Sequence, residues 1–148
     1  MHHHHNYFLF VYGSLRKGFH SDVYYYISSY FNFVCSAKTQ GILSDMGEYP
    51  AATPSAKQQA FIYGELYHII NEHEFSWAIG QLDDYEGLHA EEGETALFKR
   101  ELADVMTEDG NTIKAWVYWY NGDITDKPVI ESGDVLEYFR KKNGGNYY

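Results

Sequence analysis

A chain of 148 residues that is 45% hydrophobic and 18% aromatic reads as one folded domain rather than a disordered segment. Its formal net charge of −10, from 21 acidic against 11 basic residues, argues against binding a nucleic-acid backbone or an anionic membrane, leaving room only for a local anion site. Cys35 is the only cysteine, so an internal disulfide is excluded and the chain suits a reducing, cytoplasmic compartment.

His2 to His5 read as an expression tag or its remnant, which leaves 6–142 as a single domain and 143–148 as a flexible tail. No signal-peptide pattern or membrane-length apolar run is expected to interrupt that domain. The first element is Tyr7-Phe8-Leu9-Phe10-Val11, an apolar, aromatic and β-branched run with the composition of a buried strand. After Tyr12 it breaks into Gly13-Ser14-Leu15-Arg16-Lys17-Gly18. A glycine at a strand end lets the backbone turn sharply, and successive amides there can converge on an anion. The plainer alternative is a tight turn carrying two solvated basic residues.

Ser21 can cap a helix with Val23, Tyr24, Ile27, Tyr30 and Phe31 on one side. Segments 31–37 and 39–43 read as short strands divided by polar residues. Segment 45–60 holds two of the three prolines plus Gly47 and reads as a surface loop. Segment 61–70 reads as a strand in which Gly64 marks a bulge or the close approach of another group. Asn71 or Glu72 then leads into a helix with Phe75, Ala78, Ile79 and Leu82 on its apolar face, stopped by Gly87.

Segments 97–106 and 112–120 read as strands joined by the hairpin loop Glu108-Asp109-Gly110-Asn111. A loop over 121–133 contains Pro128, and Asp134 caps a final short helix carrying Val135, Leu136, Tyr138 and Phe139. Fifteen tyrosines and nine phenylalanines favour β structure. The sum is a mixed, strand-dominated α+β domain.

Asp83, Asp84, Glu86 and Glu91 cluster around the end of the 71–86 helix. Like charges and the negative end of the helix dipole disfavour a carboxylate there, and burial would add to the effect. A carboxyl held near neutrality suits a group that takes and returns a proton. A solvated acidic turn is the alternative. His20, His68, His73 and His89 lack metal-ligand spacing, and Ser14 lacks the glycine-flanked elbow of a serine hydrolase. Cys35 reads as a small buried residue rather than a nucleophile.

Five stretches in order, Tyr12-Gly13-Ser14-Leu15-Arg16-x-Gly18, Gly64-Glu65-Leu66-Tyr67, Leu82-Asp83-Asp84-Tyr85-Glu86-Gly87, Phe98-Lys99-Arg100 and Ser132-Gly133-Asp134, resemble the gamma-glutamylcyclotransferase-like superfamily, in its gamma-glutamylamine cyclotransferase and AIG2-like branch. The resemblance implies a small barrel with flanking helices. It implies release of 5-oxoproline from a small γ-glutamyl amine, amino acid or peptide by intramolecular aminolysis, with no metal or other cofactor. Glu86 would be the catalytic acid/base, and Tyr12, Gly13, Ser14, Leu15 and Tyr118 would contact substrate. Tyr49-Pro50-Ala51 would border the cavity. Phe98 stands where the family usually has tyrosine. A non-catalytic binding or interaction module that kept the pocket is the competing reading, and an intact Glu86 speaks against it.

Overall fold

The computed structural model describes residues 6–13, 22–47, 49–55, 60–86 and 98–142. The first strand, β1 (Phe8–Val11), is apolar at every position because both of its faces are covered. It lies antiparallel to β5 (Phe61–Ile69), with Phe8 opposite His68 and Val11 opposite Glu65. On its other side it runs parallel to β7 (Thr112–Tyr120), with Leu9 opposite Trp116. Strand β2 (Phe31–Gln40) pairs antiparallel with β5, and its residues Ala37 to Thr39 pair with β6 (Phe98–Thr107). A tight hairpin joins β6 to β7, and the order β1-β5-β2-β6-β7 closes a barrel. This is the strand-dominated α+β barrel that the motifs implied.

Strand alternation sorts the side chains into two cores. Phe10 and Tyr12 point into the barrel with Ile62, Leu66, Val105, Ala115, Val117 and Trp119. Leu9, Val11, Tyr67, Ile69 and Tyr118 point outward, where Ile27 of α1 (Asp22–Tyr30) and Ala78, Ile79 and Leu82 of α2 (Phe75–Tyr85) cover them. Burying one such side chain contributes about 1.5–3 kcal/mol. Helix α2 is thereby held flat on the sheet with its last turn over β6 and β7. A short 3-10 turn, Glu72–Glu74, leads into it, and the Asn71 side chain caps that turn by accepting from the His73 amide.

Gly64 is where two backbones come closest. A Cβ there would sit 2.1 Å from the Val11 carbonyl oxygen and 2.8 Å from the Phe10 ring, so only glycine fits. The last helix, α3 (Val135–Lys142), begins where the Asp134 carboxylate accepts from the Glu137 amide at 3.2 Å, as the capping pattern anticipated.

Two local expectations need correction. The chain does not break at Lys38: β2 continues to Gln40 and turns at Gly41 into β3 (Ile42–Asp45). Thr39 is tolerated there because its buried hydroxyl donates to the Asp104 carbonyl at 2.8 Å, while Lys38 lies over the Phe61 ring. Nor is 45–60 wholly a surface loop. Asp45 ends β3, and β4 (Pro50–Thr53) pairs with β3 in a two-stranded ribbon whose Ala51 and Ala52 are fully buried. Segment 121–133 is irregular as expected, although Ile130 is buried and its amide bonds to Leu43. No helix among the described residues is long and apolar enough to cross a membrane.

Candidate active site

Tyr12 follows β1 and keeps the inward phase of that strand, which carries its ring into the barrel core. Its hydroxyl donates to the Tyr118 carbonyl oxygen at 2.5 Å, tying the end of β1 to β7. Burial pushes this phenol well above its ordinary pKa, and the negative charge of Glu86 pushes the same way, against an opposing contact from the Ala52 amide. Glu86 therefore lies within electrostatic reach of the end of β1. Gly13 comes next, bordered by Pro50: a Cβ at Gly13 would stand 3.5 Å from the proline Cγ. Ser14 and Leu15 lie outside the described residues, as do Gly87 and Glu91.

Tyr118 has the opposite phase and stands outside the barrel beneath α2. Its hydroxyl donates to Asp83 Oδ1 at 2.8 Å. Arg100, opposite Tyr118 on β6, grips the same carboxylate through Nε to Oδ1 at 2.7 Å and a terminal nitrogen to Oδ2 at 3.0 Å. The guanidinium also lies 4.4 Å from the Trp116 ring centroid. Asp83 is 7% exposed, so three hydrogen bonds replace the water it has lost. Burial and the Asp83 charge raise the Tyr118 phenol far beyond the ordinary tyrosine range, which keeps it a hydrogen-bond donor.

Glu86 closes α2, its amide bonding to the Leu82 carbonyl at 2.9 Å. Its half-buried carboxyl is pushed from 4.5 up to about 7, first by burial and second by the Asp83 charge three residues earlier. The expectation that crowded carboxylates would raise this group is thus met with a different emphasis: desolvation leads, and Asp83 is the charged neighbour that adds to it. Asp84 is exposed. The Glu86 charge acts on both the Tyr12 and Tyr118 phenols, and the Tyr12 hydroxyl is bonded to the Tyr118 backbone, with Gly13 directly following Tyr12.

Asp83 and Arg100 were not singled out from the sequence as site residues. The available signal was the i, i+3 spacing of Asp83 and Glu86, which puts two carboxylates on one side of a helix end. Among the described residues no cluster of His, Cys, Asp and Glu could hold a metal ion. Cys35 is half-buried and packs against the barrel core.

A family model described as Gamma-glutamyl cyclotransferase, AIG2-like matches residues 9–137. The chain is 27% identical over 131 residues to MJ1514 of Methanocaldococcus jannaschii, a protein named provisionally as a gamma-glutamylcyclotransferase, with 88% of this chain and 97% of that protein covered. Among solved structures, YkqA of Bacillus subtilis superposes with a TM-score of 0.69 at 26% identity over 96% of this chain, which spans only 44% of YkqA. An AIG2-like protein of Mus musculus shares the fold, with a TM-score of 0.64 at 22% identity over 86% of this chain and 88% of that one. The chain belongs to the gamma-glutamyl cyclotransferase, AIG2-like family.

Proposed function

We propose that the protein is a cyclotransferase that releases 5-oxoproline from a γ-glutamyl compound, with Glu86 as the proton carrier. The observation that supports this most directly is the Glu86 carboxyl, half-buried, within electrostatic reach of Tyr12 and Tyr118, and raised to about 7. A group with that proton affinity is available as base and as acid at neutral pH.

In the reaction, the substrate's α-amine attacks its own γ-carbonyl. A new C–N bond closes the five-membered lactam, and the old γ-amide C–N bond breaks with its electron pair staying on the departing nitrogen. The attacking ammonium nitrogen gives up two protons and the leaving nitrogen gains two, so acid and base must work in turn. Glu86 takes a proton from the α-ammonium and returns it to the leaving nitrogen, which general acid–base catalysis makes worth about 10²–10⁴-fold. Because both reacting groups belong to one molecule, the remaining task is to hold them in attacking geometry. The amides at and after Gly13 would hold the glutamyl headgroup or the developing oxyanion. The Tyr12 and Tyr118 hydroxyls are committed to Tyr118 and Asp83, so those two rings shape and stiffen the wall around the acid.

The test is 5-oxoproline release from a panel of γ-glutamyl amines, amino acids and short peptides, compared with Glu86→Gln. Turnover of any member by the wild-type protein and its loss in the variant supports the reading. Binding of 5-oxoproline or of panel members with no turnover would make the protein a binding module instead.

A further inference from the structure

The β6–β7 hairpin carries a second feature on the face that holds Arg100 and Tyr118. Phe98 and Tyr120 are paired across the two strands, two residues along from the Arg100 and Tyr118 pair. Alternation therefore sets all four side chains on one face. Tyr49 completes a group of three rings. Its centroid lies 5.9 Å from Phe98 and 6.1 Å from Tyr120, and the latter two are 5.6 Å apart. Tyr49 immediately precedes Pro50, the residue that borders Gly13. The rings thus stand beside the strand-end turn and one step along the hairpin from the Tyr118–Asp83 bond.

Phe98 and Tyr49 are half-buried and Tyr120 is buried. The cation nearest along the strand on this face, Arg100, is already held on its edge by Asp83 and on its face by Trp116. Lys99 belongs to the opposite face of β6 by alternation and pairs with Glu101 at 3.8 Å. Among the described residues, the side chains that continue this face past Arg100 and Tyr118 are aromatic.

We propose that Tyr49, Phe98 and Tyr120 form the wall against which the departing amine lies, and that they select an amine with an aromatic body, such as an arylalkylamine. This rests on the cyclotransferase reading. The γ-glutamyl half is common to every substrate, so discrimination must come from what the departing half touches. The three rings meet in tilted and edge-to-face arrangements, and a further ring can join such a group edge-on without displacing a member. A departing group that ends in a carboxylate would lose water on this wall and gain no ion pair from Arg100 or Lys99.

The experiment measures kcat/KM for 5-oxoproline release from γ-glutamyl derivatives of methylamine, phenethylamine, 1,5-diaminopentane and glutamate. The phenethylamine derivative should exceed the methylamine derivative by about tenfold. Phe98→Ala should cut that ratio by about tenfold, chiefly through KM. A wall that only props up the fold would lower the Tm and slow all substrates together, leaving the ratio intact, and that result overturns the proposal. So does a preference for the diamine or glutamate derivative. Should Phe98→Ala fail to fold, Phe98→Leu and Tyr49→Leu replace it with the same expected loss of ratio. If no derivative yields 5-oxoproline, the cyclotransferase reading fails by itself, and the wall is then judged by binding. Adding γ-glutamyl-phenethylamide to Glu86→Gln should shift the aromatic NMR signals of Tyr49 and Phe98, and an absence of shifts there overturns the wall.

Discussion

Arg100 meets Asp83 edge to edge, its Nε 2.7 Å from one carboxylate oxygen and a terminal nitrogen 3.0 Å from the other. This contact joins the last turn of α2 to β6 and places a fixed carboxylate three residues before Glu86. The consequence is electrostatic. Asp83 receives its hydrogen bonds from Arg100 and Tyr118, and its charge is among the causes that lift the Glu86 carboxyl to about 7.

Removing that charge tests the relation. In Asp83→Asn the Glu86 carboxyl loses its charged neighbour and its proton affinity falls, though burial still holds it above 4.5. If the unprotonated carboxylate starts the reaction, kcat/KM rises with pH through about 7 in the wild type, and the same limb moves to lower pH in the variant. The pH profile of kcat/KM is the measurement, and an unmoved limb would separate Asp83 from the tuning of Glu86. The variant is also less stable, by about 2–4 kcal/mol, because Arg100 keeps its charge under α2 without a matching carboxylate.

Glu86 should make stability fall with pH. The folded chain holds this proton up to about 7, whereas an unfolded chain releases it near 4.5. Between those values the unfolded state binds fewer protons than the native one, so stability declines as pH rises and the loss is complete above about 7. Glu86→Gln removes the titration. The variant should be more stable than the wild type at pH 8 by about 2–3 kcal/mol, with the difference shrinking toward zero at pH 4. Urea denaturation at the two pH values reads this directly, and a difference that stays constant with pH would contradict it.

The two phenols should differ in what their loss costs. Tyr118→Phe removes one of three donors to a buried carboxylate, for about 1–3 kcal/mol. Tyr12→Phe removes the phenol's bond to the Tyr118 carbonyl and unties the end of β1 from β7, for about 1–2 kcal/mol. Because Tyr118 serves both bonds, one through its hydroxyl and one through its carbonyl, the double variant should cost an amount that differs from the sum by at least about 0.5 kcal/mol. Chemical denaturation of the four proteins completes the cycle, and strict additivity would show that the two bonds are independent.

How much of this was legible before the structure depends on whether the signal is local. Tyr12, Gly13 and Glu86 stand at the ends of elements whose apolar pattern is short-range, and the ordered motifs around them point to one family. The barrel itself needs long-range pairing, such as Leu9 beside Trp116, that no periodicity encodes. Strand β4 escaped because Pro50-Ala51-Ala52-Thr53 has loop-like composition, and only burial against the barrel makes it a strand. Lys38 looked like a break because a half-buried outward position on a barrel strand tolerates a charge that can lie over a neighbouring ring. The Arg100 partnership of Asp83 spans 17 residues of sequence and is fixed only when α2 lies across β6.

Two glycines give the last prediction, since the same substitution should have opposite effects at each. At Gly64 a methyl group would sit 2.1 Å from the Val11 carbonyl oxygen, a backbone atom that moves only if β1 separates from β5. Gly64→Ala should therefore destabilise by about 3 kcal/mol and, through the strand that ends at Tyr12, lower turnover as well. At Gly80, within α2, a methyl group meets no atom within 4 Å, and alanine is the better helix former by about 1 kcal/mol. Gly80→Ala should raise the Tm by a few degrees for a domain of this size. Thermal melts of both variants decide the matter: a neutral Gly64→Ala would mean that β1 and β5 do not approach as closely as described, and a destabilised Gly80→Ala would mean that α2 packs something against that position.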